Sequence, residues 1–389
     1  MFLVMENKIM TNQINYSSEP AFINREKEFK YLLHWISGKP NSILFVYGPK
    51  SSGKTTLITK FIEDHLNTKE FNIKHFNLRE MLIANYSDFI QAFFETDYSR
   101  STEDVKQKKE YNLKLFKLTK EIKKSLENKT LDPFVVMKKE LFKIVKKNKR
   151  PIIIIDELQA LEDIYINGQR ELLKELFNFF VALTKESHLC HVLIASSDGY
   201  FMNRIYEDSK LSKTSIFFEV SYLNEKDTKK WLSNLKQESS ITDYKFSNSQ
   251  IETIWKYLGG SMWEISKILS ELIPYAKNSR IGDAQLKNEI NSLIKINSGR
   301  FNVYANLYDN KFEMFKRIYI LQKKVDEFQS RDLKPLVSNG FFEIDDLLKE
   351  LSNLVRLNFL TFNPTSSFYK LQSNSMFYGL KDFIESTPL

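Results

Sequence analysis

The chain has 389 residues, too many for one typical domain, and 42% of them are hydrophobic, so it folds around real cores and is no disordered tail. Its single cysteine, Cys190, excludes an internal disulfide framework and a cysteine-based zinc site, and fits a reducing, cytoplasmic compartment. The net charge of +8 is unevenly placed: Asp104 to Arg150 holds sixteen Lys or Arg against six Asp or Glu, and the remainder is slightly acidic. No apolar run approaches the roughly 18 residues that span a bilayer, so no membrane is expected. The start, MFLVMENKIM, lacks a basic flank and a cleavage site and reads as a frayed terminus.

In chain order, FINREKEFKYLLHWISG places Phe29, Leu32, Leu33 and Ile36 at helical spacing, with Asn24 positioned to cap. SILFVY reads as a buried strand, GPKSSGKT as a loop, and TTLITKFIEDHL as a helix with Leu57, Ile58, Phe61 and Ile62 on one face. FNIKHFNL predicts a second strand. The stretch from about 99 to 149 is lysine-rich and mostly helical, broken at Asp132-Pro133; beyond the proline, Phe134, Met137, Leu141, Ile144 and Val145 form one stripe. IIIID is a continuous β-branched run, as expected of a strand covered on both faces. A helix in QRELLKELFNFFVALTKE and strands in HVLIASS and SIFFEVSYL complete an alternation that predicts a parallel α/β sheet over 40–222. Residues 224–297 turn all-helical, with Gly259-Gly260 between two helices. Three short helical patterns follow, then a hairpin in LTFNPTSSFYKLQ turning at Asn363-Pro364.

The chemistry concentrates in two places. GPKSSGKT fits G-x-x-x-x-G-K-[ST] between a strand and a helix, which is the context a phosphate-binding loop requires. Gly48, Pro49, Lys50, Ser51, Ser52, Gly53, Lys54, Thr55 and Thr56 would surround the phosphates of ATP. The glycines let backbone N–H groups face the anion, and the helix N-terminus adds a partial charge of about half a unit. Lys54 would neutralise the β- and γ-phosphates, and the Thr55 hydroxyl would ligate Mg2+. The second place is IIIIDE, where Asp156 suits the magnesium shell and Glu157 suits a group that orients or deprotonates water. A strand running into an acidic helix cap would look the same.

F-x-x-R-E-x-E before the first strand, GPKSSGKTTL, IIIIDELQ, LIASSDGYFM and a later Gly-Gly opening a helix together resemble the archaeal ATPase family, close to the AAA+ and STAND ATPases. The resemblance covers Phe22 to about Pro274. It implies the additional-strand, catalytic-glutamate class of P-loop ATPases and, in the C-terminal segment, the layout of a winged-helix domain. The expected division is an α/β core over 1–222 with the lysine-rich insertion at about 99–149, a helical lid over 223–300, and a winged-helix domain over 301–389.

On that resemblance HVLIASS neighbours the IIIIDE strand, and Ser196 or Ser197 senses the γ-phosphate, although Ser-Ser-Asp-Gly is also good turn chemistry. Arg204, or less convincingly Lys210 or Lys213, would reach a neighbouring subunit's nucleotide. Phe22 and Arg25 would lie beside the adenine, or else mark a plain helix start with a surface arginine. The lid reads GGSMWEI, with Trp263 where related ATPases carry an arginine. That departure implies a slow switch driven by Mg-ATP more than a tightly coupled ring motor.

The C-terminal segment argues against a strong DNA reader. Its candidate recognition helix, roughly Ile344 to Leu357, carries Asp345, Asp346, Lys349, Glu350 and Arg356, and the hairpin offers only Lys370. A protein partner suits this surface at least as well. The alternative is a replication-initiator-like or mobile-element ATPase in which ATP licenses DNA loading. The lysine-rich segment is either a pair of solvated helix faces or a patch for an acidic partner. The oligomeric state stays open.

Overall fold

Five apolar stretches form one parallel sheet in the computed structural model: β1 (Ile43–Tyr47), β2 (Phe71–Asn77), β3 (Arg150–Asp156), β4 (His191–Ser196) and β5 (Ser215–Glu219). Their spatial order is β2-β3-β4-β1-β5. The structure describes residues 22–96, 116–118, 120–166, 168–199, 201–202, 205, 211, 213–305 and 308–387. The N-terminal MFLVMENKIM, Arg204, Lys210 and much of the lysine-rich stretch lie outside the described residues.

The isoleucine run of β3 is buried along its whole length because helices cover both faces of the sheet. Ile152 and Ile154 pack with Leu32 and Ile36 of α1 (Glu26–Ser37) and with Leu57 and Phe61 of α2 (Lys54–His65). Ile153 and Ile155 share the opposite core with Phe89 and Phe93 of α3 (Tyr86–Phe93). Of the insertion, α4 (Lys120–Glu127) and α5 (Pro133–Lys146) are helical, and α5 adds Met137 and Leu141 to that second core, as does α6 (Leu172–Val181) with Leu176 and Phe180.

Four local expectations are corrected. Asn24 does not cap α1; the N-cap position is Arg25, whose guanidinium has no acceptor for the first-turn N–H groups and instead donates to the phosphate loop. Leu33 is exposed, since one helix face suffices to cover the sheet edge there. Val145 is also exposed, lying about 100° around the helix from Ile144. Arg170–Glu171 pair with Tyr165–Ile166 as a short antiparallel ladder, so α6 begins only at Leu172.

The lid consists of α7 (Glu225–Ser233), α8 (Leu235–Ser239), α9 (Asn248–Leu258) and α10 (Met262–Leu272) around a core that includes Trp231, Tyr244 and Leu272. Gly260 is required between α9 and α10, for a Cβ there would sit 1.8 Å from the Leu223 carbonyl oxygen. A long helix, α11 (Asp283–Ala305), then spans the boundary expected near 300 and carries the chain into the C-terminal domain. That domain has α12 (Asp309–Gln322), α13 (Lys334–Ser338), α14 (Ile344–Arg356), the hairpin β6 (Leu360–Asn363) and β7 (Phe368–Leu371), and α15 (Asn374–Ser386). Phe328 exchanges two backbone hydrogen bonds with Tyr369, adding a third short strand and completing a winged-helix arrangement. No helix among the described residues is long and apolar enough to cross a membrane.

At the opposite end of the sheet from the phosphate loop, the His191 ring meets Trp35 edge-on at 5.0 Å and is 2% exposed. Burial pushes its pKa down to about 4, so the folded protein holds it neutral. The unfolded chain takes up that proton near pH 6.5. Stability present above pH 6.5 is therefore lost as the pH falls toward 4, by about 3 kcal/mol from this residue. Urea unfolding of wild type and His191→Phe between pH 4.5 and 7.5 should show a shallower acid slope in the variant; parallel slopes would refute the assignment.

Candidate nucleotide site

The carboxyl ends of β1, β3 and β4 finish level because the ladder pairs Tyr47 with Ser196 and Asp156 with Ala195. The phosphate loop leaves β1, and the acidic pair leaves β3, with β4 between the two strands. Gly48 adopts φ +150°, where a Cβ would lie 2.2 Å from the Val220 carbonyl oxygen, and Gly53 adopts φ +87° as the residue before α2. Both are backbone positions that only glycine fills without strain.

Lys54 is almost wholly buried, and its Nζ donates to the carbonyls of Gly48 (3.0 Å) and Pro49 (2.8 Å). Burial lowers its pKa to about 8, although Glu157 and Asp156 pull toward the charged form. Thr55 Oγ1 donates to Asp156 Oδ2 at 2.5 Å. The other carboxylate oxygen of Asp156 is buried and has no hydrogen-bond partner. A hydroxyl and a carboxylate in contact, with a spare buried oxygen, form a donor set that fits Mg2+, which takes one or two protein oxygens and completes its shell with water and phosphate.

Glu157 follows at the strand end with φ +63° and is buried. Its backbone N–H still donates to the Ala195 carbonyl, so the turn projects the side chain without leaving the ladder. Three side chains donate to the carboxylate: Arg79 Nη2 and Ser197 Oγ (3.1 Å) to Oε1, and Gln159 Nε2 to Oε2. Arg79 follows β2, the strand paired directly with β3.

A cavity of about 430 Å3 joins these groups to the lid. Phe22, Arg25, Ser51, Gly53, Lys54, Thr55, Thr56, Glu157 and Ser197 all line it, together with Arg79. Its apolar wall includes Ile23, Trp231, Ile241, Met262, Trp263 and Leu269. Arg25 is not a surface arginine: Nη2 donates to the Ser52 (2.7 Å) and Ser221 (3.1 Å) carbonyls, bracing the loop from behind. Gly48 and Pro49 line a second cavity on the far side of the loop, and Ser52 is fully buried. Ser196 points away, donating to Gln159 Oε1 at 2.9 Å. Lys213 is exposed and lines neither cavity.

A family of ATPase domains found predominantly in Archaea matches residues 22–268. The chain belongs to this family. The archaeal-type ATPase is also 34% identical to one ATP-binding protein of Methanocaldococcus jannaschii, over 94% of this chain and 95% of that one, and 31% identical to another over 94% and 99%. Among solved structures it is similar to the ADP form of the Aeropyrum pernix ORC2 protein (TM-score 0.48, 11% identity, 96% of each chain). It is likewise similar to the RuvB branch-migration motor of Thermotoga maritima (TM-score 0.41, 15% identity, 90% and 92% of the two chains).

Arg79 and Gln159 escape a motif reading. Arg79 is one basic residue just past a strand, and only the pairing of β2 with β3 brings it to Glu157. Gln159 stands in the quoted IIIIDELQ, two residues beyond the glutamate, and that proximity was the available signal. Gly48→Ala should move the ATPase's loop off Val220, weakening Mg-ATP binding on the order of 100-fold, about 2.8 kcal/mol. Calorimetric titration measures the loss, and unchanged affinity would show that the loop tolerates the methyl group.

Proposed function

We propose that this ATPase hydrolyses Mg-ATP slowly and that the state of the nucleotide sets how its C-terminal hairpin sits on the phosphate loop. The observation that carries the reading is a grip on the loop from two sides. Asp156 holds Thr55 from the nucleotide side. From the other side, Tyr222 Oη (2.8 Å) and Gln372 Nε2 (3.4 Å) both donate to the Lys50 carbonyl. Gln372 follows β7, so a residue of the winged-helix domain touches the phosphate loop itself. Asn363 at the end of β6 adds two contacts to the core: it accepts from Tyr47 Oη (3.3 Å) and donates to Glu219 (3.1 Å).

In this reading Lys54 and the loop amides hold the phosphates, and Thr55 with Asp156 holds Mg2+. The metal, when bound, would neutralise phosphate charge and polarise the phosphoryl oxygens, making the γ-phosphorus a better electrophile. Glu157 orients the attacking water and accepts its proton. Arg79 stands guard over that base: a γ-phosphate competes for its guanidinium, since charge-assisted pairs with phosphate are strong, and its departure leaves Oε1 with the Ser197 hydroxyl alone. Three donors on the base and Trp263 on the lid where a cation would assist support turnover well below the median enzyme value of about 10 per second.

The surface of α14 supports a protein partner. Glu343, Ile344, Asp345, Asp346, Leu348 and Lys349 are all exposed, and this mixture of acid and apolar groups repels a phosphate backbone. Duplex DNA affinity that falls steeply with salt would favour the initiator-like alternative instead.

Glu157→Gln should keep Mg-ATP affinity within a few-fold and cut phosphate release by at least about 100-fold, the scale of losing a positioned general base. Equal release by variant and wild type would remove Glu157 from the reaction. The switch is read separately. Cys190 is fully buried, so spin labels can be placed at Lys60→Cys on α2 and Lys370→Cys on β7. The distance between them should differ between Mg-ATP and Mg-ADP; identical distributions would reject hairpin movement.

A further inference from the structure

The hydrogen bonds around Glu157 have a fixed direction. The backbone N–H of Asp198 donates to Ser196 Oγ at 3.0 Å, which leaves the serine hydroxyl proton for Gln159 Oε1 at 2.9 Å. Gln159 then has only its amide N–H groups to offer in the other direction, and Nε2 donates to Glu157 Oε2. Donor and acceptor roles alternate without conflict from the turn after β4 to the carboxylate. Oε1 of the same carboxylate is held by Ser197 of that turn and by Arg79.

The turn is also where the C-terminal hairpin rests. A Cβ on Gly199 would lie 2.6 Å from the Phe362 carbonyl oxygen and 3.0 Å from its Cβ, so the β6 backbone is seated directly on the glycine. Gly199 is three residues from Ser196, so a shift of the hairpin moves the amide that anchors the relay.

We propose that Gln159 is a positioning residue: through Ser196 it ties the aim of Glu157 to the turn on which the hairpin sits, so hydrolysis follows hairpin docking. The inference rests on the hydrolytic reading above and adds the path by which the winged-helix domain acts on the base. Gln159 is half-buried beside the cavity and is not among its lining groups, so its effect is on the chemical step and not on nucleotide affinity. Among the described residues no other side chain donates to Glu157 Oε2, so an apolar residue of similar size leaves that oxygen without a side-chain donor.

The test measures steady-state phosphate release and Mg-ATP affinity for wild type, Gln159→Leu, Ser196→Ala, Gly199→Ala and their double variants. Gln159→Leu should lower kcat about tenfold with affinity within twofold, and Ser196→Ala should do the same. The double variant should be no slower than either single one, because both break one chain. Gly199→Ala should alter kcat in the wild-type background and do so by less in Gln159→Leu, where only the Ser197 contact to Oε1 still follows the turn. Gln159→Glu keeps the acceptor for Ser196 and loses the donor to Glu157, so it should be at least as slow as the leucine variant. A wild type that binds Mg-ATP and releases no phosphate overturns hydrolysis and relay together. Hydrolysis that persists at the wild-type rate in Gln159→Leu, or losses that multiply in the double variant, overturn the relay alone.

Discussion

The register of β4 is the constraint on which the site depends. Ala195 is paired on one side with Val46 of β1 and on the other with Asp156 of β3. Because this one strand is bonded to both neighbours, the phosphate loop, the acidic pair and the Ser196-Ser197 turn must end at one height. A slip of one residue would turn every side chain of β4 to the opposite face and bury different groups in both cores. The fully apolar interior of β4, Val192 to Ala195, makes such a slip costly, since these residues belong to two separate cores on the two faces. Site geometry is thus inherited from hydrophobic packing some distance below it.

The electrostatics at that height are those of a charged cluster with little solvent. Lys54, Asp156 and Glu157 are each at most 6% exposed. A buried charge without a partner costs several kcal/mol, and each of these groups has its own: the Gly48 and Pro49 carbonyls for Lys54, Thr55 for Asp156, and Arg79, Ser197 and Gln159 for Glu157. The balance differs among them. Asp156 keeps one oxygen free of hydrogen bonds, which favours arrival of a cation. Glu157 has both oxygens engaged by side-chain donors. The same low-dielectric setting therefore holds one carboxylate with a spare buried oxygen and another with both oxygens engaged.

Sequence patterns made the scaffold legible where a single element carries its own signal. The IIIID run is buried on both faces, Leu57, Ile58, Phe61 and Ile62 all face the core, and the hairpin turns beside Asn363-Pro364. The phosphate loop was legible because its glycines answer local backbone demands at Gly48 and Gly53. What escaped was whatever depends on two distant segments meeting. Arg25 reads equally as a surface residue until Ser221, 196 positions away, is brought against it. Arg79 depends on strand order, and Gln372 depends on how a whole domain docks. Val145 and Leu33 failed for a different reason: an apolar side chain next to a stripe can be left in water when the stripe alone fills the contact.

The lid and the winged-helix domain differ from the core in how firmly they are joined. Glu264, in the first turn of α10 beside Trp263, is buried, and it accepts hydrogen bonds from Ser373 Oγ (3.0 Å) and Ser375 Oγ (2.7 Å) at the start of α15. Burial raises its pKa while these hydroxyls oppose the shift. Separating α10 from α15 would strip a buried carboxylate of its donors, at about 1 to 3 kcal/mol or more for a charged group. α15 is also seated close on α11, where Gly379 leaves no room for a Cβ beside Asn297. The contacts from Gln372 and Asn363 to the core are 3.1 to 3.4 Å long and exposed or half-buried, so water replaces them at little cost. In side-chain hydrogen bonds the seam between the core and the winged helix is therefore weaker than the one between α10 and α15. Trp263 lies on the lid side of that seam and lines the cavity beside the phosphate loop, next in sequence to the carboxylate that ties the lid to α15.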